Sequence, residues 1–347
     1  MIHSLIRRFE LHPQYHYCQD VRLFQQARFA YYLSTQSISH DEARQVFLLD
    51  RKNNLFTVPG DIELVKNIER LEQCKPDVVV ITTTYNRIDR LNRLYNSVLT
   101  QDFSGRIAWV IIENGSTNGT QQQLSEWSRM HKWIVCLQYK SAFGYATPAR
   151  NRGLALVQMC LHKGYRDVFV WVVDSDDYLH NDRVVAELYS VAKRHPSVMT
   201  HGYAVVRYED ARGNLLAINT IPRNIGRGFP TVPSLKDELE MGPQVLSAML
   251  PGVFLRHFYY PDEFTMEDDT LNQRIMAYAL KPRLKIQAIP YPCLVKTFHA
   301  GSMANINDLI GRQDIEVQLG PKVVRGIRAQ AVLGLQYIRD YFTREGI

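Results

Sequence analysis

The chain has 347 residues, a formal charge of +6 at neutral pH and a pI near 9.0, and 46% of its residues are hydrophobic. This composition is that of an ordinary globular protein, and it argues against a disordered or low-complexity chain. The positive charge favours acidic partners such as nucleotide phosphates, an anionic membrane surface or nucleic acid, and charge alone does not choose among them. The five cysteines are spread singly, which argues against a zinc knuckle and a disulfide framework and suits a reducing compartment.

The sequence gives no sign of a membrane-spanning or secretory segment. Its first residues, MIHSLIRRFELH, carry two Arg and a Glu where a signal peptide has an apolar region. No window approaches the roughly 18 apolar residues that a membrane span requires. We therefore expect a cytoplasmic protein, and peripheral attachment to the inner face of a membrane stays open.

Residues 1–75 predict a small, mainly helical N-terminal extension of unknown role. Helical spacing of apolar residues indicates a helix within 20–33, and Ser39 followed by Glu42 has the form of a capping box, which predicts a helix from His40 onward. A turn-rich break over 53–61 precedes an amphipathic helix over 62–74.

From residue 76 onward, apolar runs alternate with amphipathic segments. The predicted strands are 77–83, 107–112, 134–139 and 167–173, and the predicted helices are 86–99, 121–131 and 148–162. Alternation at this spacing implies right-handed crossovers and a parallel, doubly wound sheet. Ligands of such sheets bind beyond the carboxyl ends of the strands.

The fourth predicted strand ends in a group of three carboxylates, Asp174, Asp176 and Asp177. They repel one another at the edge where a ligand is expected, so a divalent cation would explain the cluster. The alternative is an acidic turn after a strand, because Asp and Ser are ordinary turn residues.

Polar residues also follow the other predicted strands. The first strand ends in Thr84, Tyr85, Asn86 and Arg87, the second ends in Glu113, and the helix after the third opens with Arg150 and Arg152. Beside the carboxylates, this set would suit a nucleotide diphosphate with its metal. Neither GxGxxG nor GxxxxGK[ST] follows the first strand, which argues against a dinucleotide site and a P-loop.

Seven motifs occur in an order that resembles glycosyltransferase family 2, an inverting family with the GT-A fold. They are TTTYNR (82–87), IIENGSTNGT (111–120), PARNRGLA (148–155), VVDSDDYL (172–179), PGVFLR (251–256), MEDDTLNQRI (266–275) and FHAGSMAN (298–305). The likeness covers about 77–305 and leaves out the first 75 and last 40 residues. It implies a mostly parallel, Rossmann-like sheet with helices on both faces.

The resemblance also implies a role for each matching residue. The implied donor-binding residues are Thr84, Tyr85, Asn86, Arg87, Glu113, Arg150 and Asp174, and the implied metal ligands are Asp176 and His299. Asp268 is the implied general base, with Glu267 beside it, and weaker acceptor or sugar contacts are Gly252, Asp269 and Ser302. Glu113 is longer than the family's usual Asp, and Asp269 stands where the family often has an aromatic residue. Oxygen-rich ligation suits Mg²⁺ or Mn²⁺, and a His ligand favours Mn²⁺.

Each role has a structural alternative. The acids 267–269 precede apolar residues at helical spacing and would also suit a helix N-terminus. His299 could be a hydrogen-bonded histidine at a strand end, and Arg150 and Arg152 a solvated helix face. A helix N-terminus beside a phosphate is nevertheless a place where Arg is useful.

The remaining segments are assigned to the acceptor side and a tail. Residues 203–221 predict an antiparallel hairpin turning at 212–214, and 223–233 predict a glycine- and proline-rich loop. Residues 320–342 form an amphipathic pattern that would dock on the domain, form a homodimer contact or rest on a membrane.

We thus predict an extension (1–75), a catalytic domain (76–305, with its nucleotide-binding half ending at 180) and a helical tail (306–347). The predicted activity is metal-dependent, inverting transfer of a hexose or N-acetylhexosamine from a nucleotide diphosphate sugar, a UDP-sugar above all, to a glycan or lipid-linked acceptor. Nucleic acid is not an expected partner. The alternatives are a non-catalytic sugar-nucleotide-binding subunit, a retaining GT-A transferase and a nucleotidyltransferase.

Overall fold

The computed structural model describes residues 40–57, 60–143, 146–161, 167–194, 198–209, 213–219, 248–257, 260 and 285–299. The helices of this part are α1 (His40–Lys52), α2 (Gly60–Cys74), α3 (Ile88–Leu99), α4 (Thr120–Met130), α5 (Ala146–Leu161) and α6 (Val184–Arg194). The strands are β1 (Val78–Thr84), β2 (Ile107–Glu113), β3 (Ile134–Gln138), β4 (Phe169–Val172), β5 (Tyr178–Leu179), β6 (Val198–Glu209), β7 (Leu215–Asn219), β8 (Ala248–Pro251) and β9 (Lys285–Phe298). A 3-10 helix, Gly252–His257, follows β8.

One half of the sheet is parallel, in the order β3-β2-β1-β4. Its strands are almost wholly apolar and buried, as expected for strands covered on both faces. The predicted parallel, doubly wound half is therefore confirmed. Because all four strands run the same way, the residues after β1, β2 and β4 meet at one edge.

The other half of the sheet is mixed. Strand β8 runs antiparallel to β4, β6 runs antiparallel to β8, and β9 runs parallel to β6. The short strand β5 pairs with β9, which brings the end of β9 to the acidic stretch after β4. The predicted hairpin is present as β6 and β7, although β6 begins at Val198, five residues earlier than expected.

Helix α3 begins at Ile88, two residues later than the sequence predicted. The reason is Asn86, whose φ of +53° is in the left-handed region and cannot start a right-handed helix. The two residues before α3 are thereby released from the helix, and both make contacts at the sheet edge.

The described part of the N-terminal extension packs into the same core as the sheet. Phe47, Phe56 and Leu71 are all at most 2% exposed. The segment after α1 also covers the edge of the sheet, since Thr57 N donates to Gln138 O at 2.9 Å. On α2, the Asn67 side chain bonds the backbone of β3, with its Nδ2 2.7 Å from Cys136 O. The extension thus provides hydrogen-bond partners for the backbone of the edge strand β3, which would otherwise be open to pairing with another strand.

A buried ion pair joins the extension to helix α5. Arg152 donates from Nε and Nη2 to the two carboxylate oxygens of Asp50, at 2.7 and 2.6 Å. Tyr139 Oη donates to the same carboxylate at 2.8 Å, and the guanidinium lies 4.0 Å from the centre of the Phe143 ring. Arg152, which the sequence places among the nucleotide-binding or solvent-facing arginines, therefore holds α1 against α5.

Several sequence predictions lie outside the described residues. These are the helix within 20–33, the loop 223–233, the turn at 212 and the tail 320–342. Among the helices that are described, none is long and apolar enough to cross a membrane.

Candidate active site

Asp176 lies where the ends of β1, β4 and β9 converge. It is 6% exposed, and its Oδ2 accepts a short hydrogen bond from Arg87 Nη1. The same oxygen lies 3.0 Å from Nε2 of His299, which follows β9. Burial raises the pKa of Asp176, but Arg87 and His299 outweigh burial and hold it below its ordinary value. Asp176 is therefore a buried anion at the predicted ligand edge.

His299 is the strand-end histidine that the sequence suggested. It is 3% exposed, and burial lowers its pKa despite the opposing charge of Asp176. A neutral ring at this position can donate to a carboxylate or bind a divalent cation.

Asp174 is more exposed than Asp176, with 21% of its side chain accessible to solvent. Its Oδ1 lies 2.5 Å from Nη2 of Arg150, in the first turns of α5. The Arg150 guanidinium is 5.1 Å from the centre of the Tyr260 ring, and Asn151 bonds both the N–H and the C=O of Tyr260 at 2.9 Å. Arg150 is thus held by packing with its charge directed at Asp174.

Asp177 is a structural residue. Its Oδ1 accepts a hydrogen bond from Thr297 N at 2.8 Å, and its own N–H donates to Asp174 O at 3.1 Å. Burial and the charges of Asp176 and Asp174 raise its pKa well above the ordinary value. The Asp177 carboxylate is therefore bonded to a backbone amide, whereas Arg150 contacts Asp174. Residues 174–177 therefore form an acidic turn, and this turn lies at the edge of the sheet where a ligand is predicted.

The loop after β2 is fastened to the end of β1. Asn86 N donates to Ser116 Oγ at 2.9 Å, and Thr117 N donates to Asn86 Oδ1 at 2.8 Å. Thr84 is buried, its Oγ1 makes no hydrogen bond among the described residues, and Tyr85 is half-buried. These residues line the edge at which a nucleotide is predicted.

Glu113 lies beneath this loop and is fully buried. Its carboxylate accepts hydrogen bonds from Gly115 N, Ser116 N and Gln121 Nε2, at 3.2, 2.6 and 2.7 Å. Burial raises its pKa, and these donors oppose that shift. The additional methylene relative to Asp lets the side chain reach back to its own loop. Its contact with the base stays a prediction, and its observed contacts position the loop.

Gly252 lies away from the other candidate residues. Pro251 pairs with Phe169, and Gly252 N donates to Val168 O, at the amino end of β4. At about 3.3 Å per residue, Val168 is roughly 13 Å from the carboxyl end of β4 at Val172. We therefore leave Gly252 out of the candidate site. Glu267, Asp268, Asp269 and Ser302 lie outside the described residues.

Residues that the sequence did not single out also shape this edge. Asn151 bonds Tyr260, which lies 109 residues later in the sequence. Glu209 accepts hydrogen bonds from arginines on α3 and β6. No motif or spacing marks either contact, because the partners are far apart in the chain.

Replacing Gly115 by Ala should destabilise the fold far more than replacing Gly119. Both have positive φ, +77° and +87°, but a Cβ at 115 would lie 2.3 Å from Ser141 C, whereas nothing lies within 4 Å at 119. We expect urea unfolding to show a loss of about 2 to 4 kcal/mol for Gly115→Ala and about 1 kcal/mol for Gly119→Ala. Equal losses would show that the close approach of the two loops has no energetic importance.

Comparisons with known proteins support the fold and the family. The family model described as "Glycosyl transferase family 2" matches residues 79–255. The chain is 30% identical to the poly(ribitol-phosphate) beta-N-acetylglucosaminyltransferase TarP of Staphylococcus aureus (strain N315) over 125 residues. This match covers 36% of each chain. It is 28% identical over 132 residues to the putative teichuronic acid biosynthesis glycosyltransferase TuaG of Bacillus subtilis (strain 168), which covers 38% of this chain and 48% of that one. The chain therefore matches less than half the length of each relative.

Two solved structures are more distant. Staphylococcus aureus TarS 1-349 in complex with UDP is 18% identical with a TM-score of 0.46, covering 77% of this chain and 72% of that one. The mannosyltransferase PcManGT from Pyrobaculum calidifontis, in complex with GDP-Man and Mn²⁺, is 13% identical with a TM-score of 0.42, covering 100% and 87%. The predicted GT-A fold agrees with the family match and with the parallel β3-β2-β1-β4 order. Because the matched segment 79–255 is just over half of the 347 residues, the chain belongs to glycosyltransferase family 2.

Proposed function

We propose that the protein transfers a sugar, with inversion, from a nucleotide diphosphate sugar to a hydroxyl group of a glycan or lipid-linked acceptor. The observation that carries the proposal is Asp176, an anion held by Arg87 and His299 where three strands of a family 2 fold converge. The name of the relative TarP favours an N-acetylhexosamine as the sugar to test first. A UDP-sugar, the donor predicted from the sequence, is the first donor to test.

The described residues fit a divalent cation that is carried mainly by its substrate. No group of three or more His, Cys, Asp or Glu side chains converges within the described ranges. Asp176 and His299 nevertheless lie close together and supply one carboxylate ligand and one nitrogen ligand. Mg²⁺ and Mn²⁺ at diphosphate sites need only one or two protein ligands. When bound, such an ion would neutralise the charge of the departing diphosphate.

The protein's own groups would place and polarise the donor. Arg87 and Arg150 bring two guanidinium groups to the edge, where they can share their donors between the Asp carboxylates and phosphate oxygens. The loops after β1 and β2, which are hydrogen-bonded to each other, would hold the nucleotide at a fixed distance from these guanidinium groups. The transition state of sugar transfer is oxocarbenium-like, so placement and charge stabilisation would suffice without a protein nucleophile.

The proton chemistry is assigned to the acidic motif 266–275. Asp268 would take the proton of the acceptor hydroxyl as that oxygen attacks the anomeric carbon, and Glu267, Asp269 and Ser302 would lie around the acceptor. An inverting displacement needs such a base on the face opposite the leaving diphosphate.

The test is a panel of nucleotide sugars with Mn²⁺ or Mg²⁺, monitoring release of nucleoside diphosphate with and without glycan acceptors. Asp268→Asn should keep donor binding and lose turnover. Donor binding without any turnover by the unmodified protein would favour a non-catalytic subunit, and NMR of the product anomer separates inversion from retention. If no nucleotide sugar is bound or hydrolysed, the proposal is wrong.

A further inference from the structure

Glu209, at the end of β6, lies in a cluster of arginines. Its side chain is fully buried, and Arg93 donates to it from both Nη1 and Nη2, the latter at 3.0 Å. Arg207 Nε lies 2.7 Å from Glu209 Oε1, and Arg90 Nε lies 3.6 Å from Oε2. We refer to Arg90, Arg93 and Arg207 as the arginine cluster.

The arginine cluster carries more charge than its carboxylate can neutralise. Three guanidinium groups surround one Glu, which leaves two positive charges in excess among the described residues. The next carboxylate, Asp176, is already bonded to Arg87 and His299. Burial, together with Arg87 and Arg93, lowers the pKa of Arg90, while Glu209 and Asp176 oppose that shift. Among the described residues, the cluster thus carries positive charge that a second anion could neutralise.

The side chains of the three arginines are also partly accessible to solvent. Arg90, Arg93 and Arg207 have 21%, 30% and 22% of their side chains exposed, whereas the Glu209 side chain has none. Arg90 Nε is buried and makes no hydrogen bond among the described residues. The three arginine side chains therefore keep some contact with solvent, while the buried Glu209 carboxylate holds them together. Guanidinium donors in this arrangement match phosphate and carboxylate oxygens.

The position of the cluster links it to the acceptor side. Arg90 and Arg93 follow Arg87 by one and two turns of α3, which places them about 5 to 9 Å along the helix from the residue that bonds Asp176. Arg207 is paired in register with Thr297, whose N–H bonds Asp177. The cluster thus flanks the candidate site, between α3 and the mixed half of the sheet.

We propose that the arginine cluster binds an acidic group, a phosphate or a carboxylate, of the acceptor, so that the acceptor is an anionic glycan. This inference rests on the proposed function. Arg87 and Arg150, together with Asp174 and Asp176, form the proposed diphosphate site, so the cluster is left for a second anion. An acidic group bound there would hold a neighbouring hydroxyl of the same chain near the transfer position.

The first test compares Arg90→Gln with Arg90→Lys, because Arg90 has the weakest contact with Glu209 and its loss disturbs the fold least. For an anionic acceptor we expect Arg90→Gln to raise the KM about 10-fold or more, the loss expected for one charge-assisted contact. The KM for a matched neutral acceptor, the donor KM and donor hydrolysis should change less than about threefold. Arg90→Lys should recover part of the loss. Equal effects on both acceptors, or none on the anionic one, would overturn the proposal.

A direct binding measurement separates this inference from the proposed function. Inorganic polyphosphate is titrated against the unmodified chain, Arg90→Gln, Arg207→Gln and the exposed control Arg129→Gln, with thermal unfolding to verify the fold. We expect binding to weaken about 10-fold in the first two variants only. Loss in the control as well would indicate non-specific attraction, and inorganic phosphate binding as tightly as the polymer would indicate a free ion; either result overturns the acceptor assignment. Selective binding with no turnover of any donor would contradict the proposed function alone.

Discussion

Asp176→Asn should lower kcat/KM for sugar transfer by about 10³-fold, which corresponds to about 4 kcal/mol of lost transition-state stabilisation. The substitution keeps the size of the side chain but removes the charge that Arg87 and His299 surround. If Asp176 holds the divalent ion, the loss should be accompanied by a higher Mn²⁺ concentration for half-maximal activity. Initial rates over a Mn²⁺ titration measure both effects.

Asp182→Asn is the matched control, because Asp182 is exposed and follows the same acidic stretch. It should change the rate by less than about twofold, as surface substitutions usually do. A decrease of less than threefold in Asp176→Asn would remove Asp176 from the proposed metal and diphosphate site. Thermal unfolding of both variants distinguishes a chemical effect from loss of the fold.

The parts of the fold that sequence alone predicted are those fixed by nearby residues. Strands β1, β2 and β4 are apolar runs that lie within a residue or two of their predicted bounds, because burial on both faces requires such a run. The acidic turn after β4 is also local, and its position at the ligand edge follows from parallel strand direction. Helix α3 shows the limit, since the left-handed Asn86 is set by its bonds to the loop after β2.

What sequence did not predict depends on contacts between distant residues. The partner of Arg152 is Asp50, 102 residues earlier, so a helix-opening Arg looked like a phosphate ligand. Glu209 is bonded to Arg93 across 116 residues, and Asp177 to Thr297 across 120. Charged side chains have no periodicity that identifies their partner. For the candidate site, residue types could therefore be predicted, whereas the division between ligand-facing and structural charges could not.

The distinction between ligand-facing and structural charges matters most for the N-terminal extension, to which the sequence assigned no role. It covers the edge strand β3 through Thr57, in the segment after α1, and through Asn67 on α2. Its Asp50 binds α5, the helix that presents Arg150 to Asp174. We therefore expect the extension to act on the candidate site indirectly, by fixing the helix that carries one of its arginines.

Asp50→Asn should lower the free energy of unfolding by about 3 kcal/mol, near the lower end of the range for breaking one partner of a buried ion pair. The Asp50 side chain is 3% exposed and accepts two hydrogen bonds from Arg152 and one from Tyr139. An amide can accept only some of these, and it leaves the buried guanidinium without a counter-charge. Urea unfolding of the full chain measures the loss.

Two further variants separate the charge from the hydrogen bonds. Tyr139→Phe removes a single donor and should cost about 1 kcal/mol. Asp89→Asn, at an exposed position on α3, should change stability by less than about 0.5 kcal/mol. If Asp50→Asn lost no more than Tyr139→Phe, the ion pair would be dispensable, and packing of Phe47, Phe56 and Leu71 would alone hold the extension. A loss of about 3 kcal/mol together with weaker donor binding would instead show that the extension stabilises the Arg150 side of the site.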